Sequence, residues 1–125
     1  MMLYMTRWFR KWAGQSGLTS DDLCRASGEL ERGMADALGG HVYKMRLAMA
    51  GRGKRGGARV IVAFRQGESV FFIYGYPKNE RSNITPDELR ALRLLARQLL
   101  SYDLPALGTA ISQGELFEVG RHGKR

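Results

Sequence analysis

Two neighbouring segments rich in β-branched and aromatic residues constrain the fold more than any other part of the chain. Residues 58–65 and 69–76 are of this kind, and Gln66-Gly67-Glu68 separates them. Such segments, joined by a short connection that contains glycine, predict an antiparallel β-hairpin. Residues 41–47 alternate between apolar and basic side chains, which predicts a further strand with a basic outer face. The chain therefore needs a sheet of at least three strands.

Two helices are predicted before this sheet. Apolar residues of the first segment recur at helical spacing, namely Met5, Trp8, Phe9 and Trp12. We expect the two tryptophans to lie in the core rather than to form a surface for stacking on bases. Thr19 and Asp22 have the spacing of a capping box, which predicts a second helix that runs to about Leu38 and ends at Gly39-Gly40.

The segment after the hairpin predicts two more helices. Thr85 as the N-cap, Pro86 at the first position and Glu88 at the third predict a strong helix start. The apolar stripe that follows is expected to pack on the sheet. A weaker last helix lies near Pro105 and Gly108, and residues 120–125 are expected to form a disordered basic tail.

This order of elements predicts one α+β domain over residues 1–125. It has N-terminal helices, an antiparallel sheet of three to four strands and a C-terminal helix packed on the sheet. No apolar run has the length of a membrane span and the first segment does not read as a secretion signal, so a soluble cytoplasmic protein is expected. One cysteine, Cys24, cannot form an internal disulfide. With only His41 and His122 beside it, no metal or cofactor is expected.

The positive charge of the chain is concentrated in one window. The sequence has 20 Lys+Arg and 12 Asp+Glu, a formal net charge of +8. No acidic residue occurs between Ala37 and Gly67. The basic residues of that window are Lys44, Arg46, Arg52, Lys54, Arg55, Arg59 and Arg65. Because like charges repel unless a partner relieves them, the window predicts contact with a polyanion, the alternative being a basic surface that only maintains solubility.

A connecting turn of two or four residues would place Arg59 beside a tyrosine. Closure on Gln66-Gly67 sets it opposite Tyr74, and closure on Gly67-Glu68 sets it opposite Tyr76. In either case the face of Arg59 also carries Val70, Phe72, Tyr74 and Tyr76, and the apolar core face carries Val60, Val62, Phe64, Phe71 and Ile73. Residues 49–57 are too rich in glycine for a helix or strand, so they are expected to form a loop that holds Lys54 and Arg55 over the same end of the sheet.

This cluster predicts RNA binding. Guanidinium and ammonium groups bind phosphates, and exposed tyrosine and arginine planes stack on unpaired bases. The residues expected to contact RNA are Lys44, Arg46, Arg52, Arg65 and Tyr74. The window lacks a Walker A order and clustered carboxylates, which disfavours nucleotide hydrolysis and metal-dependent nucleases. A metal-free ribonuclease and a patch that only binds RNA both stay open.

Two motifs carry a resemblance to a known family. They are Gly51-Arg52-Gly53-Lys54-Arg55-Gly56-Gly57-x-Arg59 and Ile73-Tyr74-Gly75-Tyr76-x-Lys78-Asn79-Glu80. Together they resemble the signature of the HigB-type branch of the RelE/ParE toxin superfamily, over roughly residues 43–100. The resemblance implies a RelE-like fold and the toxin of a type II toxin-antitoxin system. It also implies a metal-independent endoribonuclease that cuts mRNA on the ribosome and is silenced by a helix-turn-helix antitoxin of the HigA type.

The resemblance also implies roles for individual residues. The implied catalytic residues are Lys54, Arg55, Arg59, Tyr76 and Lys78. Arg59 corresponds to the arginine that stabilises the cleavage-site phosphate, the two loop residues assist proton transfer, and the last pair stacks on or protonates the substrate. Glu80 is a supporting residue that either acts in catalysis or holds Lys78 or Arg59 in place. Two alternatives stay open: a toxin that poisons DNA gyrase, as ParE-type relatives do, and a non-catalytic RNA or ribosome binder.

Overall fold

The computed structural model describes residues 2–49 and 53–120, and within these ranges six strands form one sheet. Of residue 49 and residues 53–56 only the backbone is described. The elements are β1 (Leu3–Thr6), α1 (Arg7–Ser16), α2 (Ser20–Glu31), β2 (Asp36–Gly39), β3 (Val42–Met49), β4 (Gly53–Phe64), β5 (Val70–Pro77), α3 (Pro86–Leu100), α4 (Leu104–Ser112) and β6 (Leu116–Glu118). The strand order is β2-β3-β4-β5-β1-β6, in which β1 runs parallel to β5 and the other neighbours are antiparallel.

The sheet separates two apolar cores. On one face, α1 and α2 pack on the sheet through Phe9, Leu23, Val60, Val62 and Phe72. On the other face, α3 and α4 pack on it through Ile61, Ala63, Ile73, Leu92 and Leu107. Strands buried on both faces are apolar at successive positions, which accounts for the composition of β4 and β5. The predicted α+β class is therefore correct, but the sheet has more strands than the three to four expected and helices cover both of its faces.

The β4–β5 hairpin closes differently from the prediction. Phe64 pairs with Val70, so residues 65–69 form a connection of odd length instead of two or four residues. An odd connection reverses which residues share a face. Val70 and Phe72 consequently lie in the core beneath α1 and not on the face of Arg59, so the predicted faces are wrong near the turn.

A β-bulge further along the hairpin brings Arg59 and Tyr76 together. The register of β4 and β5 shifts by one residue beside Ile73, which is the extra residue on β5. Beyond this bulge Arg59 pairs with Tyr76, one of the two partners predicted for it. That neighbour relation is confirmed, although the turn and the bulge that produce it differ from the geometry assumed.

The first predicted helix begins later than expected. Met5 lies in β1, paired with Phe72 of β5, and not in the helix. Thr6 is the N-cap of α1, and its hydroxyl accepts a hydrogen bond from the Phe9 amide at 3.1 Å. Helical spacing alone did not reveal this boundary, because a residue just before a helix can share the spacing of the residues within it.

The second helix begins as predicted and ends earlier. The Thr19 hydroxyl accepts from the Asp22 amide, and the Asp22 carboxylate accepts from the Thr19 amide, so the capping box is confirmed. The helix ends at Glu31 instead of about Leu38, and the following residues form β2. Gly39-Gly40 does not end a helix: both glycines have positive φ, 89° and 64°, in the turn from β2 to β3.

The C-terminal half follows the prediction with one addition. Thr85 and Glu88 form the expected capping box at the start of α3, with Pro86 in its first turn. The weaker last helix is α4, and it is followed by a short strand, β6, that was not predicted. Within the two described ranges no helix is long and apolar enough to cross a membrane.

The glycine-rich segment continues the sheet. The prediction of a loop is wrong for residues 53–57, whose backbone belongs to β4 and pairs with the end of β3 at Gly53. Residues 50–52, which include Arg52, lie outside the described residues, as do the last five residues of the predicted tail.

Helix α1 packs on β5 through direct contact of a ring with a glycine. A β-carbon on Gly75 would lie 2.3 Å from a ring carbon of Trp12. The centroid of the Phe9 ring is 5.5 Å from that of Trp12 and 5.5 Å from that of Phe72, so the stack continues into the core. Only glycine allows this approach, and the contact fixes α1 beside Tyr76.

We expect Gly75→Ala to lower the free energy of unfolding by about 1–3 kcal/mol, because the new methyl group forces the Trp12 ring out of place. Urea denaturation followed by circular dichroism measures this. Gly108→Ala is the matched control: nothing lies within 4 Å of its β-carbon in α4, so we expect a gain of about 0.5–1 kcal/mol. Trp12→Phe added to Gly75→Ala should recover part of the loss. A Gly75→Ala protein as stable as the wild type would contradict the packing.

Arg81 ties the loop after β5 to the start of α3. Its guanidinium donates to both carboxylate oxygens of Glu88, at 3.0 Å to Oε2, and its Nε donates to the Asn83 carbonyl at 3.1 Å. The guanidinium also lies over the Tyr76 ring, 5.1 Å from its centroid. The hydrogen bond from Arg81, followed by that from the Thr85 amide, lowers the pKa of Glu88 to about 2. The loop is thus held over β5 by a charged contact.

A group whose pKa is depressed on folding adds stability above its ordinary pKa, and this stability is lost as the pH falls through the folded value. We therefore expect Glu88→Gln to be less stable than the wild type by about 0.5–1 kcal/mol at pH 7. The difference should shrink between pH 4.5 and about 2. Urea denaturation at several pH values measures it. Asp87→Asn, which removes an exposed ion pair with Arg90, should have a smaller effect, and a pH-independent deficit of Glu88→Gln would contradict the assignment.

Candidate functional site

Three strands present a row of polar side chains next to the start of α3. Arg46 on β3, Arg59 on β4 and Tyr76 on β5 are successive cross-strand partners. Partners on one face of a sheet bring their β-carbons to about 5 Å. Two residues further along each strand, a second row consists of Lys44, Ile61 and Tyr74. The structure thus gathers five of the predicted residues in two adjacent rows.

Arg59 is half-buried at the centre of the first row. Its Nη1 is buried and has no hydrogen-bond partner in the part of the chain that the structure describes. A buried polar group left unpaired costs about 1–3 kcal/mol, and more when it is charged. A ligand that supplies an acceptor there recovers this free energy, and a phosphate oxygen fits the guanidinium geometry.

A pocket of about 390 Å³ adjoins Arg59. Its lining comes from α2, from the segment before β2 and the first residue of β2, from β3 and β4, and from the loop after β5. The residues are Glu29, Met34, Ala35, Asp36, Lys44, Met45, Arg46, Arg59 and Ser82. The volume is in the range of sites for small ligands. Glu29 and Asp36 were missed in the sequence, because the predicted extension of α2 to Leu38 gave no reason to place them beside β3.

Tyr76 is part of the packing beneath this site. Only 3% of its surface is exposed, and its hydroxyl lies 3.5 Å from the Ser82 carbonyl. Because Arg81 lies over the ring, Tyr76 does not present the exposed face that stacking on a base requires, one of the two roles that the resemblance implies for it, the other being to protonate the substrate. Burial is the main cause that raises the pKa of Tyr76, so the phenol keeps its proton at neutral pH.

Tyr74 connects the site to α1. Its ring stacks on that of Trp8 with centroids 4.7 Å apart and planes inclined by 29°. Its hydroxyl lies 3.5 Å from the Glu88 carboxylate, and burial followed by that negative charge raises the pKa of Tyr74. Trp8 is 47% exposed, so the expectation that both tryptophans lie in the core is wrong for Trp8.

Other predicted residues flank the site. Lys44 donates a hydrogen bond from Nζ to the Asn83 side chain at 2.9 Å. Lys78 is exposed, and its amide donates to the Gly57 carbonyl at 3.1 Å, which holds the end of β5 against β4. Glu80 is exposed and, within the described residues, forms no ion pair with Lys78 or Arg59.

Three predicted residues lie at a distance or beyond what the structure describes. Arg65 follows the far end of β4 and is paired with Glu68 at 3.1 Å. It lies six positions after Arg59, a distance of about 20 Å along an extended chain, so it does not join the site. For Lys54 and Arg55 only the backbone is described, on the part of β4 that leads into Arg59. In residues 2–49 and 53–120, no group of three or more histidine, cysteine or acidic side chains is arranged to hold a metal ion.

Comparison with known proteins identifies the family. No match was found among curated protein sequences. Residues 1–119 match the family model described as RelE toxin of RelE / RelB toxin-antitoxin system. The mixed α+β architecture, with its six-stranded sheet and four helices in the described ranges, agrees with that match. Because the match covers nearly the whole chain, this protein belongs to the RelE toxin family.

Proposed function

We propose that this protein is the toxin of a type II toxin-antitoxin pair and cleaves mRNA on the translating ribosome, without a metal ion. The observation that carries the proposal is the buried Nη1 of Arg59, which has no partner in the described chain and lies in a row with Arg46. An arginine with a buried nitrogen that lacks an acceptor is suited to bind a phosphate whose negative charge increases during a reaction. We take this phosphate to be part of an mRNA backbone because of the family match and the HigB-like motifs.

The chemistry requires one nucleophile, two proton transfers and a cation. The 2′-oxygen attacks the adjacent phosphorus and forms a new P–O bond while its proton passes to a general base. The P–O5′ bond breaks, and the leaving 5′-oxygen takes a proton from a general acid. The products are a 2′,3′-cyclic phosphate and a 5′-hydroxyl. Arg59 donates to the non-bridging oxygens, where charge accumulates, and Lys44 and Arg46 hold neighbouring phosphates.

The residues that the resemblance assigns to proton transfer lie on the same side of Arg59, toward the start of β4, where Lys78 is opposite Gly57. Lys78 follows β5 and is exposed, so its amine can approach the substrate. Lys54 precedes Arg59 on β4, and the motif assigns it and Arg55 to the same step. Tyr76 is assigned to positioning, because its side chain is buried. It is the cross-strand partner of Arg59 on the neighbouring strand.

The remaining parts of the proposal concern the partners. A net charge of +8 favours binding to RNA surfaces such as the ribosome, in the cytoplasm. The motifs also favour the HigB-type branch and a helix-turn-helix antitoxin of the HigA type. An adjacent gene for such a protein would support the toxin role, and it would be compatible with mRNA cleavage and with gyrase poisoning.

Arg59→Ala is the central test of the proposed cleavage. We expect it to slow cleavage of ribosome-bound mRNA by about 10²–10³-fold, because the transition state loses its buried donor. Transcript 5′ ends mapped in growing cells, and single-turnover cleavage on purified ribosome complexes, measure the effect. Arg65→Ala is the matched control: it removes the same side chain from the position just after the far end of β4, and its rate should stay within about threefold of wild type, since exposed ion pairs contribute little.

The alternatives give different results in the same experiments. Wild-type protein that leaves translated mRNA intact would contradict the proposal. DNA damage without RNA cleavage would favour gyrase poisoning. RNA bound with a steep salt dependence but left uncut would favour a binding protein. An unchanged circular dichroism spectrum of Arg59→Ala separates lost chemistry from lost folding.

A further inference from the structure

An exposed tryptophan stands at the start of α1. Trp8 is 47% exposed. Burying the ring, or replacing it with a polar side chain, would avoid this contact between apolar surface and water. One side of its ring is occupied by Tyr74, with centroids 4.7 Å apart. Trp12 lies nearly parallel to it, with planes 12° apart and centroids 6.2 Å apart. Trp8 is therefore held in place by other rings while much of its own surface meets solvent.

These rings connect Trp8 to the candidate site. From Tyr74 the next ring is Tyr76, with centroids 6.2 Å apart, and Tyr76 is the cross-strand partner of Arg59. β1 pairs with β5 only as far as Phe72, so the first turn of α1 lies along β5 where β1 stops. Trp8 is thus linked to Arg59 through two neighbouring rings, of which Tyr74 is half-buried and Tyr76 is buried.

The anchoring of α1 makes the Trp8 ring a preorganised surface. Thr6 caps the helix, and Trp12, one turn after Trp8, is seated on the bare backbone of Gly75. A ring held rigidly loses little conformational freedom when a ligand stacks on it.

The helix that carries Trp8 is positively charged. Helix α1 contains Arg7, Arg10 and Lys11 and no acidic residue. Arg7 and Arg10 are directed toward other contacts, the Gly114 carbonyl and the Phe117 ring. An aromatic ring on a helix that has basic but no acidic residues suits single-stranded nucleic acid, in which bases stack and phosphates pair with cations.

We infer that Trp8 is a stacking site for an unpaired base of the RNA, a few nucleotides from the phosphate held by Arg59. This inference rests on the proposed function, since it takes the RNA to be the cleavage substrate. Trp8 would position the strand and take no part in bond breaking. Stacking of this kind tolerates any base, because each has an aromatic face.

Single-turnover cleavage of ribosome-bound mRNA at increasing toxin concentration tests this inference. We expect Trp8→Ala to raise the concentration for half-maximal rate by about 5- to 150-fold, the range expected for one stacked base. The rate at saturation should change much less. Trp8→Phe, which keeps a ring, should recover most of the loss. Leu94→Ala is the control: Leu94 is 63% exposed on α3 and apolar, and its removal should leave both quantities unchanged.

Abasic nucleotides placed one at a time near the cleavage position identify the base. At one position, the abasic nucleotide should raise the half-maximal concentration of the wild-type protein as much as Trp8→Ala does. The same nucleotide should not raise it further for the Trp8→Ala protein. If Trp8→Ala equals wild type, or if every abasic effect is additive with it, the inference is overturned. Weaker binding of the antitoxin with unchanged cleavage would assign Trp8 to a protein interface and also overturn it. If the wild-type protein cleaves no RNA, the proposed function and this inference both fail. If it cleaves RNA and Trp8→Ala has no effect, only the inference fails.

Discussion

Burial of β4 and β5 on both faces is the constraint from which the rest of the structure follows. With apolar cores above and below, the two strands can carry polar side chains only where the helices no longer cover the sheet. Arg59 and Tyr76 occupy that place. Arg59 is close enough to the core for part of its guanidinium to be buried, yet it gains no partner from the described chain. The fold thus leaves one buried guanidinium nitrogen of Arg59 without an acceptor in the described residues.

The bulge at Ile73 decides which side of the sheet carries the site. Before the bulge, Phe72 points into the core beneath α1. Without the extra residue the alternation would continue, and Tyr76 would face α1 instead of lying beside Arg59. The same shift places Gly75 under Trp12, where a side chain could not fit. One irregularity in the backbone therefore sets both the Arg59 row and the seat of α1.

The sequence predicted what local chemistry determines. The capping boxes at Thr19 and Thr85 and the strands of the hairpin depend on neighbouring residues, and they are confirmed. The short strands β1 and β6 could not be predicted, because they exist only through pairing with distant parts of the chain. The partner of Arg59 was predicted with the wrong turn, and the burial of Tyr76 depends on Arg81, a contact that no spacing reveals.

The candidate site draws on nearly all of the chain. Strands β3, β4 and β5 supply the rows of polar side chains, the segment before β2 closes the pocket, and Arg81 fixes the loop above it. Helix α1 adds the ring of Trp8 through its contact with Tyr74. Even β6 contributes, since it pairs with β1 and so supports the strand from which α1 begins. The hairpin motifs alone therefore cannot form this site. The family match likewise extends beyond these motifs, from residue 1 to residue 119.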